Sequence, residues 1–113
     1  MKPEVFRRQI ELLEKLCNVA DTMAQDRTVQ MSDAAIRTFR DQVEWEGRQI
    51  FEGRPLIGYE AVCMVACLAE LAYARSEQHK PREDRAVMYI NTLRNFMRGN
   101  LNIAQRAAAE GLN

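Results

Sequence analysis

Residues 59–75 read YEAVCMVACLAELAYAR, and between Glu60 and Glu70 the stretch carries no charged or amide side chain. A membrane-spanning helix needs about 20 predominantly apolar residues. The run here is far shorter and is bracketed by Glu60, Glu70 and Arg75, so it is expected as a buried central helix and not as an anchor. At about 100° per residue, Met64, Leu68, Leu71, Val65, Val62 and Tyr73 cover more than half of its circumference. Such coverage predicts neighbours on several sides.

Downstream, the polar residues 76–80 lead to Pro81, Glu83 and Asp84, residue types favoured in a first helical turn. The helix that follows is expected to be the longest. Val87, Ile90, Leu93, Phe96 and Met97 mark its core side, and Leu101, Ala104, Ala107 and Ala108 stay in phase after Gly99. One helix to about residue 110, unbroken or kinked at Gly99 and Asn100, competes with a break into a short fifth helix, and the retained phase favours continuity.

Upstream, Gly53 and Pro55 are the stop signals of a second helix that Ser32 caps, with Asp33 at its positive end. Its core stripe is narrow: Ile36, Phe39, Val43, Gly47 and Ile50, with Trp45 on the other side among Asp41, Arg48 and Glu52. The first helix, from Pro3 to about Ala24, has two apolar stripes side by side. Phe6, Ile10, Leu13, Cys17, Ala20 and Ala24 make one, and Val5, Leu12, Leu16, Val19 and Met23 the other. A face of that width serves two neighbours, and a second subunit is one source for the extra neighbour. No stretch has the alternation of a strand. The expected class is all-α: an antiparallel bundle of about four helices around the helix at 59–75, forming one domain over residues 1–113.

Composition narrows the function classes. With 47% hydrophobic and 28% charged residues the chain has the balance of a folded domain, and its formal net charge of zero leaves no global field to recruit nucleic acid or membrane. Thirteen arginines stand against three lysines, a bias that suits interface work and also follows from codon usage. The opening MKPEVFRRQIELLEK is amphipathic and has no apolar signal core, so a cytoplasmic protein with no membrane partner is expected. Three cysteines, two of them in the most apolar stretch, are expected as reduced thiols.

Enzyme motifs are absent: there is no phosphate-binding glycine loop, histidine pair or nucleophile elbow, and His79 is the sole histidine. No enzymatic activity and no cofactor are expected. Glu60, Cys63, Cys67 and Glu70 fall along one strip of a helix, but four ligands on one helix cannot close a tetrahedron around zinc, so Cys63 and Cys67 read as compact packing residues. Trp45, a large aromatic on a polar helix face, reads as an interface anchor or as a ring covered by a loop.

The last helix holds the only local charge asymmetry, with no acid between Asp84 and Glu110. Asn91, Arg94, Asn95, Arg98, Asn102 and Arg106 are expected on the side opposite its core stripe, as a solvated face or as a site for an anion. The first expectation for function is a non-enzymatic interaction protein, an adaptor, regulator or inhibitor, that binds itself as a dimer or higher oligomer and binds a protein partner. The alternative is nucleic-acid or nucleotide binding through that Arg/Asn face, and the third is a helical enzyme with a carboxylate-bound metal.

Overall fold

A computed structural model describes residues 3–48 and 57–110. Four helices follow in order: α1 (Pro3–Gln25), α2 (Asp33–Gly47), α3 (Tyr59–Ser76) and α4 (Lys80–Ala109). Among the described residues there is no strand, and the helices pack against each other as an all-α bundle. The sequence reading carried α2 on to about Glu52, but the helix ends at Gly47 with Arg48 as its C-cap; Ile50, Glu52, Gly53 and Pro55 lie outside the described residues. No helix among the described residues is long and apolar enough to cross a membrane.

The helix starts follow local chemistry. At α2 the Ser32 hydroxyl accepts from the Ala35 amide at 3.1 Å, which satisfies one of the open donors of the first turn. At α4 the His79 imidazole does the same through Nδ1, accepting from the Arg82 amide at 3.2 Å, with Pro81 in the first turn where its missing N–H costs nothing. His79 is therefore the capping residue of α4. After α1, Asp26 accepts from both the amide and the hydroxyl of Thr28, at 2.9 and 2.6 Å, and turns the chain towards α2.

The turn between α3 and α4 is tight. The His79 amide donates to the Ala74 carbonyl at 2.9 Å and the Gln78 amide to the Arg75 carbonyl at 3.1 Å. These paired bonds close the end of α3 and require a left-handed residue between them, a position usually taken by glycine. Here it is Gln78, at φ 54°. This short turn makes α3 and α4 antiparallel neighbours.

α4 runs through Gly99 and Asn100 without a break, as its retained phase implied. Its 30 residues amount to about 45 Å at 1.5 Å per residue, so it spans the molecule, whose longest dimension is 48 Å. α3 packs against all three other helices, and α1 shares that property. Leu12, Leu13, Leu16, Cys17, Ala20 and Met23 of α1 are buried against Met64, Leu68 and Leu71 of α3, Val43 of α2, and Ile90, Met97 and Leu101 of α4. The double stripe of α1 is thus occupied within the chain, and its width no longer calls for a second subunit. Four assignments to the core side are corrected: Ala108, in the last turn of α4, is exposed, and Val62, Tyr73 and Phe96 are half-exposed. The last three lie at the border of a buried arc, where apolar character alone does not decide which side of the border a residue occupies.

A buried ion pair closes one end of the bundle. The Arg75 side chain, 7% exposed, donates to the Met23 carbonyl at 2.6 Å and the Val29 carbonyl at 3.1 Å, and its Nε lies 3.4 Å from Glu83 Oε1. Arg27 grips the same carboxylate with two bonds of 3.0 and 3.2 Å. Hydrogen bonds from Arg27 and then Arg75, opposed by burial, hold the Glu83 carboxyl below its ordinary value.

Two stability predictions follow from this geometry. Gln78→Gly should raise stability by about 1 kcal/mol in urea unfolding, since glycine carries no penalty in the left-handed region. Arg75→Met should lower it by about 3 kcal/mol because Glu83 is left as a buried charge with reduced compensation. The folded Glu83 value lies below the unfolded one, so its contribution is complete above about pH 4.3 and is lost as pH falls through the lower folded value. Between about pH 5 and about pH 3 the wild-type urea midpoint should fall more steeply than that of Glu83→Gln.

Candidate functional site

The arginines singled out in α4 do not form one open face. Arg94 donates to Asp21 Oδ1 at 3.0 Å and Arg98 to Asp21 Oδ2 at 2.7 Å, so one carboxylate of α1 binds both guanidinium groups. Burial works to raise the Asp21 pKa, but the hydrogen bonds and charges of Arg98 and Arg94 outweigh it and hold the carboxyl below the usual aspartate range. Arg98 also reaches Asn18 at 3.4 Å, Arg94 donates to the Asn95 side chain at 3.1 Å, and Gln105 donates to Glu14 at 2.7 Å. Asn91 is half-buried, whereas Asn102 and Arg106 are exposed and have no ion pair among the described residues. The acid-free stretch of α4 thus borrows its acids from α1, and Arg94 and Arg98 are seam residues.

Trp45 stands on α2, 58% exposed. It lines a small cleft of about 120 Å³ with Arg8, Glu11, Leu12 and Lys15 of α1. Arg8 also reaches the buried Glu46 carboxylate across this seam. Cys17 is buried and Cys63 and Cys67 are half-buried, all as free thiols, and burial pushes the Cys17 and Cys67 thiols up. Glu70, the acid beside Cys67, pairs with Arg82 at 2.7 Å, and the described residues contain no cluster of three or more ligands placed to hold a metal.

The surface that sequence reasoning missed lies on the outer side of the α3/α4 hairpin. On α4, Tyr89, Phe96 and Ile103 are 56%, 57% and 67% exposed and recur every seven residues, so they fall along nearly one line of the helix. The half-buried Leu93 and Asn100 lie between them. On α3, Tyr59, Val62, Ala66 and Tyr73 are exposed along one side. Arg82 shows that the two lines adjoin: seven residues before Tyr89, it bonds Glu70 and lies 4.8 Å from the centre of the Tyr73 ring. Tyr59 and Val62, at the other end of the α3 line, border a cleft of about 310 Å³ with Val43, Glu44 and Gly47 of α2. The seven-residue spacing was visible in the sequence, but Phe96 was absorbed into the core stripe beside it.

A second concavity, of about 430 Å³, opens between α2 and α3. Arg37 and Arg40 line it with Asp33, Tyr73 and Ser76 over a floor of Ala69 and Ala72. Both arginines are exposed and have no ion pair among the described residues. No family model matches the chain, and no curated protein or solved structure matches it either.

The seam geometry reverses what a helical wheel suggests about charge reversal. Arg94→Glu with Arg98→Glu would set two new carboxylates against Asp21 and should lower stability by about 2 kcal/mol. Arg106→Glu, on the open side, should change it by less than about 0.5 kcal/mol in the same urea titration.

Proposed function

We propose that this chain is a non-enzymatic interaction protein that binds a macromolecular surface through the outer face of α3 and α4. The observation that carries the reading is the exposed apolar line of Tyr89, Phe96 and Ile103 on α4, with Tyr59, Val62 and Ala66 exposed on α3. A half-exposed Tyr or Phe presents on the order of 100 Å². With Val62 and Ile103 the face offers on the order of 600 Å², the upper end of what a monomer ordinarily exposes in one patch. Large aromatics are the residue types that carry binding energy at interface centres. Trp45, on the α1/α2 seam, is separate from this face.

Radical footprinting tests this directly. Tyr59, Tyr89 and Phe96 should be several-fold less labelled in native lysate than in dilute purified protein, while Trp45 changes little. Equal labelling of the three aromatics in both settings would refute the assignment.

Recognition of an anion by arginine, the second reading, draws its support from α2 and not from α4. Arg94 and Arg98 are already neutralised, whereas Arg37 and Arg40 line a cleft beside Asp33 and have no ion pair among the described residues. Adenosine monophosphate should shift the Arg37 and Arg40 side-chain resonances, and Arg37→Ala with Arg40→Ala should remove the effect. Absence of any shift at millimolar nucleotide counts against this reading.

A further inference from the structure

Resting on the proposed role of the α3/α4 face, we infer that its occupant is a second copy of this chain, packed with α4 antiparallel to α4 and Phe96 on the two-fold axis. Tyr89 lies seven residues before Phe96 and Ile103 seven after it. An antiparallel pair centred there brings Phe96 against Phe96, and Tyr89 of each copy against Ile103 of the other. The stripe is its own complement, as an isologous interface requires.

Gly99 supplies an independent observation. Glycine in the middle of an exposed helix is destabilising relative to alanine. Among the described residues nothing accounts for it, since a Cβ at this position would meet no atom within 4 Å. Gly99 and Thr92 border Phe96 on its solvent side, at spacings of three and four, so a helix docking on the stripe meets small residues and can approach closely. A mid-helix glycine is explained by a neighbour that the single chain lacks.

Charge permits a second copy and favours one direction. The formal net charge is zero, so two copies do not repel each other as wholes. Parallel pairing would set Arg82, Arg85 and Arg106 each against itself. The antiparallel pair instead places Arg82 near Glu110 of the other copy, leaving Arg85 against Arg106 as an exposed like-charge contact of small effect. Asn100, the polar member of the stripe, is half-buried and lies between Phe96 and Ile103. The apolar area is close to the roughly 800 Å² per partner of a stable interface once the polar rim is added.

Sedimentation of the purified chain from about 1 to about 100 μM should show a monomer–dimer equilibrium. Phe96→Glu and, separately, Gly99→Leu should each weaken dimerisation at least tenfold. Gly99→Leu should do so without lowering the urea midpoint of the monomer, which separates a blocked interface from a damaged fold. Under mild oxidation Phe96→Cys should link to itself and Tyr89→Cys should link to Ile103→Cys, both above the level of the wild type with its own thiols. A monomer at every concentration overturns the inference, as does a dimer indifferent to both interface variants or one in which Tyr89→Cys links only to itself. A purified monomer whose aromatics are still protected in lysate would leave the α3/α4 face as a binding surface while removing the second copy as its occupant.

Discussion

The Arg75 guanidinium is the point on which the arrangement of the bundle depends. It comes from the last turn of α3, takes up the Met23 carbonyl near the end of α1 and the Val29 carbonyl of the connection to α2, and sits against Glu83 in the first turn of α4. All four segments meet on one side chain. A buried charge is tolerated only when its hydrogen bonds are satisfied, so the tie dictates where α1 ends, how the connection leaves it and how α4 is rotated as it starts. With Glu83 turned inward, the 3.6-residue period carries Ala86, Ile90, Met97 and Leu101 inward after it. The same rotation brings Arg94 and Arg98 over Asp21, a second tie between α1 and α4 farther along.

What was legible in the sequence was local. The cap at Ser32, Pro81 in the first turn of α4 and the phase that continues through Gly99 are properties of neighbouring residues, and each was readable because its physical cause lies within a few positions. The ties at Arg75 and Asp21 were not readable, since their partners are dozens of residues away and a helical wheel cannot say which helix borders an arc. Arg94 and Arg98 looked like an outward face for that reason. Gln78 carries no compositional sign of the left-handed turn it occupies, because the conformation is imposed by the three-residue connection between the end of α3 at Ser76 and the start of α4 at Lys80. For Trp45 the sequence left open an interface anchor or a ring covered by a loop; the ring is 58% exposed, and its role depends on what meets it from outside.

The apolar arcs show a different limit. Hydrophobic periodicity reports which residues favour burial, not how much neighbouring surface a chain of this size can supply. α1 found partners for both of its stripes because three helices surround it. α4 did not, since among the described helices it packs against α1 and α3 and not against α2. Its core stripe is covered, and the adjoining line of Tyr89, Phe96 and Ile103 emerges past the edge of α3. Phe96 was placed in the core because a wheel shows one wide apolar sector where the structure has two narrow ones.

The position of Arg82 then decides what that second sector can become. By bonding Glu70 and covering the Tyr73 ring, it neutralises an acid at the edge of the α3 line and fixes the rotation of the two helices at the top of the face. Below it, no charge lies on the α4 line from Tyr89 to Ile103, and the bordering positions Thr92 and Gly99 are small. A solvated helix face ordinarily carries charge at such positions, which keeps neighbouring molecules apart. Here the charges of α4 have been drawn to the opposite seam, where Asp21 holds Arg94 and Arg98. The ion pairs that lock α4 to α1 and the apolar line left open beside α3 are thus two consequences of one helix rotation.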